Sequence, residues 1–293
     1  MLKYINTPII EIFDAALEKA EIKLLIKRED LNHEFASGNK WWKLKYNLQE
    51  AKKLGHETLL TFGGAFSNHI YATAAAAREL GFKSVAIIRG EEILPLNETL
   101  AFAQSCGMKL HYVTREEYRS KTNHEFIDQL KKRFGDFYLI PEGGTNELAM
   151  KGCAEFAREK LSSIDFDFLC LPVGTGGTIA GIIVGLEGQK KVIGFSVLKN
   201  GDFLKEDAKK LIKDFSGKEF PSWHIETDYH FGGYAKRTNE LDQFILRMSQ
   251  QHKLPLDFVY TGKMAAGVFD LISKNYFPKS SKIVVLHTGG LRS

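Results

Sequence analysis

The sequence predicts an α/β protein built from open, twisted, parallel-rich sheets flanked by helices. Two observations lead to this fold class. Short β-rich runs alternate along the chain with segments of helical character. Several of these runs are almost continuously apolar, as in strands that are buried on both faces. Such alternation is typical of βαβ units, which form parallel sheets through right-handed crossovers.

The expected strands follow the β-rich runs in chain order. These runs cover 22–27, 58–62, 84–88, 109–113, 137–140, 167–173, 191–197 and 282–287. A helix is expected over 41–54, because apolar residues recur there at helical spacing. An alanine-rich helix over 68–80 should end at Gly81, since glycine favours helix C-termini. A further helix starts near Ile179, and the charged segment 199–220 predicts a surface helix with loops.

Composition excludes several classes of protein. The 293 residues are 44% hydrophobic and 26% charged with a net charge of +4, which indicates a globular chain and not a disordered one. The longest apolar stretches, such as 179–186, are too short for a membrane span. Glu11 and Asp14 lie in the N-terminal segment, where a secretion signal would have an uninterrupted apolar run. No basic block predicts a nucleic-acid partner. The three cysteines form no CxxC pair and indicate reduced thiols in a cytoplasmic protein without a metal site.

Small polar clusters follow four of the expected strands. They occupy 63–69, 141–146, 174–178 and 287–290. Ligands of open α/β sheets bind at the carboxyl ends of the strands, so we expect these clusters to form one shared site. Glycine at such positions allows a positive φ and a close approach of the backbone to a ligand.

The cluster at 174–178 predicts a phosphate-binding loop between a strand and an apolar helix. Its backbone N–H groups and the helix N-terminus would hold a phosphate dianion, and its hydroxyl groups would add donors. Ile179 stands where the dinucleotide-binding fingerprint needs glycine, and the P-loop ending is absent, so neither a nicotinamide dinucleotide nor ATP is expected. The alternative is a glycine turn that only packs the helix on the strand. The loop residues are Gly174, Thr175, Gly176, Gly177 and Thr178.

Lys40 is a candidate for covalent catalysis. Ser37 or Asn39 can cap the helix that begins near Trp41, which leaves Lys40 at the positive end of the helix dipole. An ammonium group is disfavoured there and loses its proton more easily, as a Schiff-base lysine requires. The alternative is a solvated surface lysine, since the chain has 40 lysines and arginines.

The helix over 68–80 opens at the sequence Ser67, Asn68 and His69. We expect Ser67 or Asn68 to cap this helix, and the same N-terminus can bind a carboxylate. A histidine at the position of His69 is more commonly packed or solvent-facing than an acid–base group.

Seven segments of the chain combine into a more specific pattern. They are KREDLNHEFASGNKWWKLKYNL at 27–48, GGAFSNHIYATAAAA at 63–77, PEGGTNELAMKG at 141–152, VGTGGTIAG at 173–181, FGGYAK at 231–236, VYTGKMAAG at 259–267 and HTGG at 287–290. In this order and spacing they resemble the fold-type II pyridoxal-phosphate enzymes, which have a tryptophan synthase β-like fold. The resemblance is to the branch containing 1-aminocyclopropane-1-carboxylate deaminase and D-cysteine desulfhydrase. It implies a lyase or deaminase that binds pyridoxal 5'-phosphate and a small amino acid, and that forms a homodimer.

The resemblance implies how the cofactor is held. Lys40 would bind it covalently, the 174–178 loop would hold its phosphate, and Asn68 would hydrogen-bond its phenolic oxygen. Thr261 matches the position facing the pyridine nitrogen. Ring-opening deaminases carry Glu there, whereas the desulfhydrase branch carries Thr. A hydroxyl tolerates a neutral pyridine, which suffices for β-elimination, so we expect D-cysteine to be converted to pyruvate, sulfide and ammonia.

The resemblance also implies which residues meet the substrate. Ser67, with Asn68 and His69 at the same helix start, would receive its carboxylate. Tyr234 and Tyr260 match two tyrosines that approach it, and either could donate a proton or orient it. Alternative activities are 1-aminocyclopropane-1-carboxylate deamination, and β-replacement or hydroxy-amino-acid dehydration on the same fold. A catalytically silent protein that binds pyridoxal phosphate or an amino acid is the alternative from another class.

Two lobes are expected, with the cofactor between them. The smaller α/β lobe would cover 46–150. The larger, cofactor-binding lobe would combine 1–45 with 151–293, because Lys40 and the phosphate loop must converge.

Overall fold

The computed structural model describes residues 2–291, which contain ten strands and eleven α-helices. The strands are β1 (Ile9–Ile12), β2 (Lys23–Lys27), β3 (Thr58–Gly63), β4 (Lys83–Arg89), β5 (Lys109–Val113), β6 (Tyr138–Ile140), β7 (Phe168–Val173), β8 (Lys191–Ser196), β9 (Trp223–Glu226) and β10 (Lys282–Leu286). The helices are α1 (Ala15–Ala20), α2 (Asn39–Lys53), α3 (Asn68–Leu80), α4 (Glu98–Ser105), α5 (Arg115–Arg119), α6 (His124–Phe134), α7 (Glu147–Phe156), α8 (Gly177–Gly185), α9 (Phe203–Ser216), α10 (Asn239–His252) and α11 (Thr261–Ser273).

The strands form two separate sheets. The larger sheet has the order β1-β2-β10-β7-β8-β9, with β1 antiparallel to β2 and the other neighbours parallel. The smaller sheet has the order β5-β4-β3-β6 and is parallel throughout. The α/β fold class with parallel-rich sheets is therefore confirmed. None of the helices within the described part of the chain is long and apolar enough to cross a membrane.

All eight expected strands are present, but the sequence analysis missed β1 and β9. Both lie at edges of the larger sheet. β1 buries only Ile12, and β9 is half-buried along its length, so neither has the continuous apolar run that marked the central strands. Gly81 ends α3 with a φ of 76°, as expected. α9 occupies the middle of 199–220 as an amphipathic helix.

Helix α7 packs against both α2 and α8 and sets the geometry of the site. Gly152 of α7 lies directly against Trp42 of α2, where a Cβ atom would overlap the Trp42 carbonyl oxygen. This close packing lets Asn39, the first residue of α2, reach Thr178 near the start of α8. The starts of two helices far apart in sequence therefore meet.

The strands of the smaller sheet all come from 58–140, whereas those of the larger sheet come from both sides of that range. The expected lobe boundaries, at 45/46 and 150/151, fall inside α2 and α7. These helices pack together, and each continues through its boundary without a break. The division of the chain into the two lobes stays a prediction.

Candidate active site

One cavity lies between the loops that follow β3, β6, β7 and β10, and all four small polar clusters contribute to its walls. The lining does not include three of the expected site residues, namely Gly177, Tyr234 and Thr261. Of the site residues expected from the sequence, the cavity brings together Lys40, Ser67, Asn68, His69, Gly174, Thr175, Gly176, Thr178 and Tyr260.

The backbone before Lys40 is held in one conformation by glycine. Gly38 has a φ of 69°, and a Cβ atom there would overlap the carbonyl of Thr288. The Asn32 side chain clamps Gly38 from the other side: it accepts from the Gly38 N–H at 2.9 Å and donates to the Gly38 carbonyl at 3.0 Å. Only glycine satisfies both the positive φ and the close approach.

The expected cap of α2 is wrong. Gly38 is the capping residue, and no side chain caps the first turn. The Asn39 side chain instead bridges two parts of the cavity. Its Oδ1 accepts from Lys40 Nζ at 2.8 Å, and its Nδ2 donates to Thr178 Oγ1 at 2.8 Å. Lys40 Nζ also lies 6.0 Å from the centre of the Tyr260 ring.

Lys43 is a site residue that the sequence analysis missed. It lies one turn after Lys40, lines the same cavity and is only 1% exposed. Its Nζ donates to Thr145 Oγ1 at 2.9 Å, and that hydroxyl lies 2.7 Å from Thr175 Oγ1. Burial lowers the pKa of Lys43 to about 8. The available signal was the three-residue spacing, which places two lysines on one helix face.

The 174–178 loop combines with these amines into a site for an anion. α8 begins at Gly177 and is capped by Gly176, so its free N–H groups face the end of β7. Hydroxyl groups of Thr145, Thr175 and Thr178 lie around the loop. Among residues 2–291, none of those that line the cavity is acidic. A helix N-terminus with two lysines and no carboxylate favours a phosphate.

Ser67 caps α3, as expected. Its Oγ accepts from the Ile70 N–H at 3.3 Å, so its hydroxyl hydrogen can be donated to a ligand. The Asn68 side chain packs against Gly290, where a Cβ atom would overlap its Nδ2. The loops after β3 and β10 are therefore in direct contact at the cavity wall.

His69 lines the cavity as a neutral imidazole. The Thr61 hydroxyl donates to the Ile140 carbonyl at 2.8 Å, so it accepts from His69 Nε2 at 2.8 Å. The proton therefore lies on Nε2. Burial, followed by the charges of Lys40 and Lys43, holds the pKa of His69 well below its ordinary value. The ring is a packed histidine, and its contact with a substrate stays a prediction.

The two expected tyrosines lie edge to face, with ring centres 6.2 Å apart. Tyr260 lines the cavity. Burial, followed by the neighbouring Tyr234 phenol, raises the pKa of Tyr260 well above 10. The Tyr260 phenol is therefore protonated at neutral pH and can donate a hydrogen bond.

Thr261 is fully buried behind Tyr260. Its hydroxyl donates to Asp257 Oδ1 at 2.7 Å and accepts from the Asp257 N–H at 2.9 Å. The expected contact between Thr261 and a pyridine nitrogen stays a prediction.

The chain is similar to a group of known enzymes, both in sequence and in structure. Residues 1–289 match the family model described as "pyridoxal-phosphate dependent enzyme". A Thermotoga maritima protein named as a candidate 1-aminocyclopropane-1-carboxylate deaminase is 34% identical over 94% of this chain and 90% of its own. The mitochondrial bifunctional D-cysteine desulfhydrase/1-aminocyclopropane-1-carboxylate deaminase of Arabidopsis thaliana is 33% identical over 92% and 72%. A crystal structure of a homologue of 1-aminocyclopropane-1-carboxylate deaminase superimposes with a TM-score of 0.85 at 28% identity, over 99% of this chain and 91% of that one.

Proposed function

Because the chain belongs to the family of pyridoxal-phosphate-dependent enzymes, with relatives named as deaminases and desulfhydrases, we propose that it is a D-cysteine desulfhydrase. D-cysteine and water would give pyruvate, hydrogen sulfide and ammonia. The observation that carries the proposal is the position of the Lys40 amine in the same cavity as the threonine–glycine loop and Tyr260. The homodimer and the cytoplasmic location expected from the sequence stay predictions.

The residues of the cavity fit pyridoxal phosphate. Lys40 supplies an amine for covalent attachment. Lys43, a buried amine beside Thr145 and Thr175, and the N-terminus of α8 would hold the phosphate. When bound, the cofactor acts as an electron sink for the carbanion at the substrate α-carbon.

The side chains of this chain have separate tasks in the proposed reaction. Lys40 Nζ would remove the proton from the α-carbon, and Asn39 Oδ1 orients that amine at 2.8 Å. The Ser67 hydroxyl and the first N–H groups of α3 would bind the substrate carboxylate. Tyr260 keeps its proton at neutral pH, so it would donate a hydrogen bond to the departing sulfur.

The choice of D-cysteine rests on Thr261. A carboxylate at this position would keep the pyridine nitrogen protonated and strengthen the electron sink, whereas a hydroxyl group does not. Elimination of thiolate requires less electron withdrawal by the cofactor ring than opening of the cyclopropane ring does. The second candidate is 1-aminocyclopropane-1-carboxylate deaminase, which the names of several relatives favour.

The test is a substrate panel with the cofactor-loaded protein. D-cysteine, L-cysteine, D-serine and 1-aminocyclopropane-1-carboxylate are supplied in turn, and sulfide, 2-oxo acid and ammonia are measured. We expect kcat/KM for D-cysteine to exceed that for the cyclopropane substrate at least about tenfold. Lys40→Ala should abolish turnover, whereas Lys52→Ala, on an exposed position of the same helix, should not. Efficient ring opening without sulfide release would contradict the choice of D-cysteine.

A further inference from the structure

Lys263 is a buried amine that the proposed reaction does not use. It lies on α11, three residues after Tyr260, and its side chain is 0% exposed. Its neighbours on the helix include Met264 and Val268, which belong to the apolar core. An isolated ammonium in such surroundings is strongly disfavoured unless it makes a hydrogen bond. Methionine would fill the same space without this penalty.

The hydrogen bond of Lys263 leads to the segment 231–236. Lys263 Nζ donates to the Gly233 carbonyl at 2.6 Å, across 30 residues of sequence. Burial lowers the pKa of Lys263 to about 8, against the opposing effect of the Asp257 carboxylate. The charged form therefore prevails at neutral pH, and the bond is charge-assisted.

The segment 231–236 needs such an anchor. Phe231 and Ala235 have φ angles of 47° and 55°, although neither is glycine, and Gly233 between them has a φ of 110°. Left-handed conformations are unfavourable for these side chains and persist only where the surroundings enforce them. Within the segment, the Gly233 carbonyl accepts only a 3.1 Å bond from the Lys236 N–H.

Tyr234 follows the anchored carbonyl directly. Its ring packs edge to face on Tyr260. It also reaches toward the loop that carries Ser67, since a Cβ atom on Gly64 would lie 3.9 Å from Tyr234 Cε1. Tyr234 itself lies outside the cavity lining, but it contacts Tyr260, which lines the cavity. Lys263 and Tyr260 belong to one continuous stretch of chain at the start of α11, so a single helix can set the positions of both tyrosines.

We propose that Lys263 is a positioning residue, which fixes the Gly233 carbonyl from within α11 and thereby holds the Tyr234 ring against Tyr260, which lines the cavity. The proposal deepens the proposed function and rests on it only for the identity of the bound amino acid. Lys263 touches neither the substrate nor the cavity and acts through Tyr234.

The first test follows the segment itself and needs no activity. Lys263→Met removes the donor and keeps the length of the side chain. Trypsin cuts after Lys236 and Arg237, which are exposed at the end of the segment. We expect the variant to be cut there at least about tenfold faster, because loss of a charge-assisted hydrogen bond makes opening of the segment more favourable by at least that factor. The matched control is Lys190→Met, because Lys190 Nζ also donates to a backbone carbonyl at 2.6 Å, that of Phe166. This control should be cut after Lys236 and Arg237 like the unmodified protein.

The second test asks whether the anchor acts through Tyr234. D-alanine, which has no leaving group, is titrated into the cofactor-loaded protein, and the absorbance of the cofactor reports binding. We expect Lys263→Met and Tyr234→Phe each to weaken binding, and the double variant to be no weaker than the worse single one. Should Lys263→Met fail to fold, the shorter Lys263→Gln goes through both tests and should show the same changes.

The outcomes separate the two proposals. Unchanged proteolysis shows that Lys263 anchors nothing, and additive effects on D-alanine show that it does not act through Tyr234. Either result overturns the positioning role. Faster proteolysis with unaltered binding overturns it as well. If the unmodified protein itself binds no amino acid, the proposed function fails, while the trypsin experiment still decides whether Lys263 holds the segment.

Discussion

Two lysines of α2, three residues apart, have different surroundings in the same cavity. Lys40 Nζ is hydrogen-bonded to Asn39 beside Tyr260, whereas Lys43 Nζ is directed to Thr145 and the 174–178 loop. The first amine is therefore available for covalent chemistry, and the second provides a fixed positive charge for an anion.

Lys43→Met should stabilise the folded protein and weaken its binding of the cofactor. The pKa of this lysine falls from 10.5 in the unfolded chain to about 8 in the folded protein. The penalty for burying its charge is complete below pH 8 and disappears as the pH rises from 8 to 10.5. The cofactor-free variant should be more stable than the unmodified protein by roughly 3 kcal/mol at pH 7, with a difference that shrinks above pH 8.

The same variant should bind pyridoxal phosphate ~10- to 100-fold more weakly. Pyridoxal, which lacks the phosphate, should bind equally well to both proteins. Urea unfolding and absorbance titration measure the two effects, and Lys52→Met serves as an exposed control on the same helix. Equal loss of affinity for both ligands would mean that Lys43 does not bind the phosphate.

The sequence could predict that Ser67 and the 174–178 loop share one cavity, because both follow strands of parallel sheets, and it marked Lys40 as a candidate at a helix start. It could not predict that Lys43 lines the same cavity. Spacing places Lys43 on the face of Lys40, but only the packing of α2 against Gly152 of α7 turns that face toward the loop. The side chain of Asn39 was misassigned for a related reason, since its partner Thr178 is 139 residues away.

At the scale of elements, the start of α2 depends on a buried carboxylate. Glu29 is 1% exposed and accepts hydrogen bonds from Thr7, Asn32 and Trp42, at 2.5, 2.9 and 2.8 Å. Asn32, which is held by Glu29, in turn makes two hydrogen bonds to the Gly38 backbone. The turn before Lys40 is therefore fixed by hydrogen bonds among side chains that do not themselves line the cavity.

Asn32→Ala should destabilise the protein by about 3 kcal/mol, because it removes three buried hydrogen bonds, two to the Gly38 backbone and one to the Glu29 carboxylate. Denaturant unfolding measures this loss. Asn123→Ala is the control, since Asn123 is the N-cap residue of α6 but its side chain makes no capping hydrogen bond, and should change stability by less than about 0.5 kcal/mol. A small effect of Asn32→Ala would show that backbone contacts suffice to hold the turn.

For the whole molecule, the site exists only where the two sheets meet. The smaller sheet supplies the loop with Ser67 and Asn68, and the segments around the larger sheet supply Lys40, the 174–178 loop and Tyr260. The fold class could be predicted because central parallel strands carry continuous apolar runs. The edge strands β1 and β9 could not, since their exposed sides interrupt that pattern.

The most direct test of the account is to locate the lysine that binds the cofactor. The protein loaded with pyridoxal phosphate is reduced with borohydride, digested and examined by mass spectrometry for the peptide that carries the pyridoxyl group. We expect the group to be attached to Lys40. Attachment to Lys43, to Lys263 or to an exposed lysine, with Lys40 unmodified, would contradict it.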